Sequence, residues 1–98
     1  MNEVAAQLFA DVTLYTTENG GRLGSTPPEW FACPCVINRE DLQGWDCRIL
    51  LGGIPMSPGD TRRVEIIFLS PESALPKLRA AGAFFLWEGR VIGEARVA

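Results

Sequence analysis

The 98-residue chain contains no histidine. This absence excludes imidazole as a general base, as a metal ligand and as the base of a nucleophilic triad. The sequence also lacks the Gly-x4-Gly-Lys-Ser/Thr phosphate loop and the Gly-x-Gly-x-x-Gly dinucleotide fingerprint. Glu40 and Asp41 are adjacent carboxylates on a polar connection, where acidic side chains usually face solvent. We therefore expect a protein that is not an enzyme, with no catalytic residues and no cofactor.

Basic residues are also scarce. Nine lysines and arginines stand against twelve acidic residues, which gives a net charge of −3. Arg62 and Arg63 form the only adjacent basic pair in the sequence. Because nucleic-acid binding draws most of its affinity from basic side chains that contact phosphates, this charge disfavours RNA as a partner. RNA binding would need a local basic patch.

Long apolar runs are absent as well. The longest stretch, around residues 80–87, is far too short to span a bilayer, and the first residues have no signal-like apolar core. The three cysteines are an odd number, which argues against a disulfide framework. We expect a reduced, cytoplasmic protein that does not associate with membranes.

The three thiols allow more than one interpretation. Cys33, Cys35 and Cys47 could supply three thiolate ligands to a metal, with Asp46 or Glu29 as the fourth ligand, although zinc sites usually contain C-x2-C pairs. Redox or nucleophilic use of a thiol is a second possibility. We favour a third, in which the cysteines are small apolar core residues, and we expect no metal.

Six segments have the composition or the period-2 alternation of β-strands. In residues 9–16, Val12 and Leu14 share one face. In residues 31–37, Pro34 cannot donate a hydrogen bond, so this strand lies at an edge, is bulged or begins after Pro34. In the last strand, Gly93 indicates a bulge or close packing. The predicted strands cover residues 9–16, 31–37, 46–51, 62–69, 83–88 and 90–98.

Turn signals separate these strands. Residues 17–21 contain Asn-Gly and Gly-Gly pairs, whose glycines are expected to supply positive φ. Residues 58–59 are Pro-Gly, and residues 52–53 are Gly-Gly. Residues 72–81 are the only helical candidate, and Pro76 limits the helix to one or two turns. The pattern predicts an all-β fold, a β-barrel or sandwich, with residues 1–98 in a single domain.

Two predicted strands are apolar on both faces. In residues 83–88, Phe85 and Trp87 alternate with Phe84 and Leu86, and residues 64–69 show the same pattern. The outward face is either covered by the chain's own loops or docks on a partner or a second copy. Trp30 and Trp45, at positions predicted to be loops, favour an interface.

The order of these motifs resembles the third, C-terminal domain of elongation factor Tu. Residues 11–15 and 18–22 look like its first strand with an acidic-Gly-Gly-Arg turn, and Thr26-Pro27 follows as it does there. Residues 56–60 are similar to the family's Met-x-Pro-Gly-Asp turn. Residues 84–93 are similar to its closing hairpin, with one glycine fewer. The likeness spans roughly residues 7–98.

This resemblance implies a closed six-stranded antiparallel β-barrel without enzymatic activity. In the family, the segment that matches residues 20–27 lies near the T-stem of aminoacyl-tRNA. Here residues 23–25 enlarge the loop, and residues 28–34 replace the basic and aromatic residues that the family carries. We therefore expect a protein-binding module whose partner is another protein or a second copy, with RNA or tRNA binding as the alternative. The candidate binding residues are Gly20, Gly21, Arg22, Thr26, Trp30, Phe85 and Trp87.

Overall fold

Six β-strands close into an antiparallel barrel in the computed structural model, which describes residues 7–40 and 43–98. Around the barrel the strand order is β1-β4-β3-β2-β5-β6, and β6 returns to pair with β1. This confirms the all-β fold that the sequence pattern predicted and the closed six-stranded antiparallel barrel that the resemblance implied. The strands are β1 (Leu8–Leu14), β2 (Trp30–Val36), β3 (Gly44–Leu50), β4 (Thr61–Phe68), β5 (Ala83–Trp87) and β6 (Val91–Val97).

The core fills the inside of the barrel because each strand turns alternate side chains inward. In β1, Val12 and Leu14 are fully buried, as their shared face predicted. In β5, Phe84 and Leu86 are buried, whereas Phe85 and Trp87 face outward and are only partly covered.

Strand β2 runs through Pro34 and begins at Trp30, so it does not start after the proline. On one side β2 pairs with β3 along its whole length, and on the other it pairs with β5 only through Cys35 and Val36. The amide of Leu51 donates to the carbonyl of Glu29. This bond determines which residues of β2 direct their backbone N–H and C=O groups toward β3. Pro34 is one of the residues whose nitrogen faces away from β3, so the missing N–H removes no hydrogen bond between β2 and β3.

The helix α1 (Pro71–Ala81) lies where the sequence placed it, and its 11 residues exceed the predicted one or two turns. Pro76 removes one backbone hydrogen bond within it. Ala74 and Leu78, on either side of Pro76, are completely buried, and the helix packs on β4 and β5. Burial of this face offsets the lost hydrogen bond and keeps the third turn helical.

The predicted turns are confirmed at the glycines that carry them. Gly52, Gly53 and Gly59 adopt positive φ, as does Gly20 at the end of a short 3-10 turn, Thr17–Asn19. Gly93 packs against β1, since a Cβ there would lie 2.6 Å from the carbonyl oxygen of Thr13. Residues 1–6 of the predicted domain, and residues 41 and 42 of the predicted connection between β2 and β3, lie outside the described residues.

In the part of the chain that the structure describes, no helix combines the length and the apolar character needed to cross a bilayer.

Candidate functional site

The turn that follows β1 contains the first two candidate residues, and each glycine is required for a different reason. Gly20 adopts a φ of 93°, which favours glycine. Gly21 has no positive φ, and a Cβ on it would lie 2.0 Å from the carbonyl oxygen of Tyr15. The prediction that both glycines supply positive φ is therefore wrong for Gly21, which allows a close approach of two backbone segments.

Arg22 is held by bonds within the chain. Its guanidinium donates to both carboxylate oxygens of Glu88, at 2.8 and 2.7 Å, and lies 4.8 Å from the centroid of the Phe31 ring. It also donates to the carbonyls of Gly24 and Ser25. Only 18% of the side chain is exposed. Arg22 therefore joins the turn after β1 to the hairpin between β5 and β6.

Arg90 makes the reciprocal connection from the hairpin. Its guanidinium donates to the carbonyl oxygens of Gly20 and Gly21, at 2.8 and 2.9 Å. The carbonyls of these two candidate residues are thus occupied by an arginine of the same chain. With Arg22 bound to Glu88, the turn and the hairpin hold each other in one arrangement.

Thr26 is buried and serves the fold. Its hydroxyl accepts a hydrogen bond from the amide of Met56, at 3.0 Å, and donates to the carbonyl of Pro27, at 2.9 Å. The amide of Thr26 in turn donates to the carbonyl of Met56. Hydrogen bonds of Thr26 therefore join the loop before β2 to the loop before β4. Because its side chain is buried, Thr26 is not accessible to a ligand.

Phe85 and Trp87 lie on the outer face of β5, as their alternation predicted. Over Phe85 lies Arg39, whose guanidinium carbon is 4.7 Å from the ring centroid. The same guanidinium donates to the hydroxyl of Tyr15, at 2.5 Å. Part of this aromatic face is therefore covered by the chain itself, which was one of the two interpretations of the two-faced strand.

Trp30 is the most accessible of the seven candidates. The prediction that Trp30 and Trp45 lie in loops is wrong, since they stand in β2 and β3. The side chain of Trp45 is partly buried and its indole N–H donates to the hydroxyl of Ser73. Trp30 is 45% exposed, and the Arg48 guanidinium stacks 4.6 Å from its ring centroid.

The outward side chains of β2, β3 and β4 form a continuous surface around Trp30. Strand register places Trp30 beside Leu50, and Ala32 beside Arg48, which is next to Ile67. Leu69, just after β4, is 80% exposed, and its amide donates to the carbonyl of Asp46. We call this surface the β2–β4 outer face, made of Trp30, Ala32, Arg48, Leu50, Ile67 and Leu69.

A groove of about 440 Å³ crosses this face, with Ala32, Arg48, Ile67 and Leu69 among its walls. The sequence signal for this site was the apolar character of both faces of residues 64–69. The contribution of Arg48 and Leu50 was missed, because their positions on the outer face depend on the pairing of β3 with β2 and β4.

The three thiols lie together inside the barrel wall. Cys33, Cys35 and Cys47 are all free and buried. The sulfurs of Cys35 and Cys47 are 2.9 Å apart, and the thiol of Cys47 donates to the carbonyl of Cys33. Two thiolates on one tetrahedral zinc would be about 3.8 Å apart, from Zn–S bonds of ~2.3 Å. The separation of Cys35 and Cys47 is therefore too short for two sulfurs bound to one zinc ion.

The carboxylates considered as a fourth ligand do not join this cluster. Asp46 is exposed and alternates with Cys47 along β3, so its side chain faces outward, and Glu29 is exposed before β2. Among residues 7–40 and 43–98, no group of three or more cysteine or carboxylate side chains has the arrangement of a metal site.

The environment of Cys33 and Cys47 raises the pKa values of these two thiols. For Cys33, the hydrogen bond with Cys47 is the largest cause, followed by burial. For Cys47, the hydrogen bond with Cys33 lowers the pKa, but the hydrogen bond with Cys35 and burial outweigh it, so that its pKa lies well above 9.0. Both thiols therefore stay protonated in the folded protein, which disfavours them as nucleophiles.

These pKa values predict that stability falls in alkaline solution. The ordinary thiol pKa is 9.0, so above pH 9 the unfolded chain loses protons that the folded chain keeps. The contribution of these raised thiol pKa values to the free energy of unfolding is complete below pH 9 and is lost as the pH rises. We expect each thiol to reduce the free energy of unfolding by about 1.4 kcal/mol per pH unit above 9. Urea unfolding at pH 8, 9 and 10 measures this slope.

Cys33→Ala is the control for the same titration. It removes one ionisable thiol and keeps an apolar side chain, so the dependence of unfolding free energy on pH should become shallower. An unchanged slope would show that Cys33 does not contribute to it.

Comparison of the chain with models of known protein families finds no match, and comparison with curated proteins finds no relative.

Proposed function

We propose that this chain is a non-enzymatic protein-binding module, a β-barrel that resembles the C-terminal domain of elongation factor Tu. The observation that carries the proposal is the β2–β4 outer face, where Trp30 and Leu69 are open to solvent beside an apolar groove. Large apolar side chains that cluster on a surface mark sites of association.

The composition of this face supports the same proposal. Tryptophan and arginine are the residue types most enriched at the centres of protein interfaces. Here the guanidinium of Arg48 stacks on the ring of Trp30, so both side chains are already ordered before a partner arrives. Less conformational entropy is then lost on binding, which favours association through these two residues.

The alternative, RNA or tRNA binding, has weaker support. It depends on Arg22 as a phosphate contact, and the guanidinium of Arg22 is bound to the carboxylate of Glu88 and to two backbone carbonyls. Release of Arg22 to a phosphate would break those bonds and leave Glu88, a carboxylate, beside the nucleic acid. The net charge of −3 opposes RNA binding further.

A pull-down from lysate of the source cells tests the proposal, with tagged wild-type protein and with Leu69→Glu, in the presence and absence of RNase. We expect a protein to be captured in both conditions and to be lost at least tenfold with Leu69→Glu, because the new charge lies in the apolar groove. Leu23→Glu is the matched control. It introduces the same charge at a leucine that is 88% exposed in the connection between β1 and β2 and is not one of the residues of the β2–β4 outer face.

The outcomes separate the two functions. Equal loss with both variants, or no loss with Leu69→Glu, contradicts binding through the β2–β4 outer face. Capture that disappears entirely on RNase treatment supports RNA binding instead, and Arg22→Glu should then abolish it with a steep dependence on salt.

A further inference from the structure

Strand β2 has an unpaired edge beside the β2–β4 outer face. Its pairing with β5 stops at Cys35 and Val36, and β5 ends at Trp87 before it reaches the start of β2. The hydrogen bond from the Leu51 amide to the Glu29 carbonyl shows that Glu29 directs its backbone groups toward β3, and this direction alternates from residue to residue along β2. The backbone groups of Trp30 and Ala32 therefore point away from β3, into the gap between β2 and β5.

The backbone groups at this edge lack partners. Among the residues that the structure describes, no hydrogen bond reaches the N–H or C=O of Trp30 or Ala32 from the side of the gap. Both residues are exposed. Two donors and two acceptors at alternate positions of an edge strand form a template for one more strand.

A groove runs along this edge and has room for a peptide. Its volume is about 550 Å³, and its walls include Pro27, Pro28, Trp30 and Ala32, with Arg22 and Glu88 on the opposite side. Because Arg22 and Glu88 are bound to each other, their side chains line the groove without occupying the backbone groups of β2.

From these contacts we propose that the edge of β2 binds an extended peptide segment of a partner protein, which adds as a strand at Trp30 and Ala32. This inference rests on the proposed protein-binding function and names the class of partner. In such strand addition, main-chain hydrogen bonds supply affinity and alternate side chains supply specificity. The side chains on the outer side of the added strand would continue the apolar surface at Trp30.

Charge complementarity distinguishes the occupant from a second copy of the chain. Glu29 also lines the groove, is exposed, and forms no ion pair with the described residues, whereas the charge of Arg22 is already balanced by Glu88. Two copies would bring this acidic groove against itself, and each copy carries a charge of −3. A peptide with lysine or arginine near Glu29 is the complementary ligand.

The variant Ala32→Pro tests the main-chain bonding directly. It removes the N–H that the added strand needs, while no ladder bond with β3 is lost, as Pro34 already demonstrates two residues on. Ala32→Thr is the matched control, since it changes the side chain and keeps the N–H. The probe is a displayed library of random ten-residue peptides, selected on the wild-type protein and then synthesised for titration.

We expect the selected peptides to contain lysine or arginine within an extended, alternating sequence. Their affinity should fall at least tenfold with Ala32→Pro and less than threefold with Ala32→Thr. Failure to select any peptide, or equal affinity for Ala32→Pro, overturns the proposal. If Leu69→Glu still abolishes capture of a protein in that case, protein binding through the outer face stands without strand addition.

Amide hydrogen exchange of the wild-type protein gives a second measurement that does not depend on the folding of a variant. The amides of Trp30 and Ala32 should exchange quickly in the free protein and slowly with a selected peptide, while those of Phe31 and Cys33 stay slow throughout. Slow exchange at Ala32 in the free monomer overturns the proposal. Protection that grows with protein concentration, together with a dimer in sedimentation, assigns the edge to a second copy instead.

Discussion

Replacement of Phe84 with alanine is expected to lower the free energy of unfolding by about 3–5 kcal/mol. Phe84 is among the largest fully buried side chains and is surrounded by the barrel core, so its removal leaves a cavity that the strands cannot close. For a domain of this size the melting temperature should fall by roughly 15–30 °C. Thermal and urea unfolding followed by circular dichroism measure both quantities.

The next residue along β5 is the matched control. Phe85 faces outward and contacts the guanidinium of Arg39, so Phe85→Ala should cost only about 1 kcal/mol, from the lost ring contact and partial burial. Equal losses for the two variants would contradict the assignment of inner and outer faces to β5.

Substitution of Gly21 by alanine is expected to cost about 3 kcal/mol, a large loss for a residue at a surface turn. The new Cβ would lie 2.0 Å from the Tyr15 carbonyl oxygen and 2.8 Å from that of Thr16, and both are backbone atoms. The turn must therefore shift, which also disturbs the bond from Arg90 to the Gly21 carbonyl. Overpacking of this kind destabilises by about 1–3 kcal/mol, and loss of the hydrogen bond adds to it.

Gly24→Ala provides the comparison within the same loop. Gly24 has no positive φ and a Cβ there meets nothing within 4 Å, so the free energy of unfolding should change by less than about 0.5 kcal/mol. A similar loss for both variants would show that the loop is insensitive to the close approach at Gly21. If Gly21→Ala weakens partner binding in proportion to its loss of stability, Gly21 acts through the fold.

Much of the barrel could be predicted from local sequence because alternation of side chains and the positive φ of glycine are local properties. Pro34 shows where local sequence is insufficient. The sequence allowed its strand to lie at an edge, to be bulged or to begin after Pro34, and only the pairing with the neighbouring strand decides among these. Trp30 and Trp45 were placed in loops because prolines and glycines stand near them, yet register across β2 and β3 holds both in strands.

The candidate binding residues show a second limit. The sequence indicated Arg22 by its place in a motif, but not that Glu88, on a distant hairpin, would bind it. Burial of Thr26 and occupation of the Gly20 and Gly21 carbonyls likewise depend on contacts between remote segments. The exposed surface that supports the proposed function could be found only once the strands were arranged in order.

The two-residue junction between β2 and β5 also has consequences for how the barrel folds. More than half of the chain lies between Cys35 and Leu86, so the entropy lost on closing this loop is large. The two residue pairs of the junction contribute few hydrogen bonds to offset that loss. The β2–β3, β3–β4 and β5–β6 ladders join strands that are consecutive in the chain and can form earlier. We therefore expect the β2–β5 junction to form late in folding, and to open first when the barrel fluctuates.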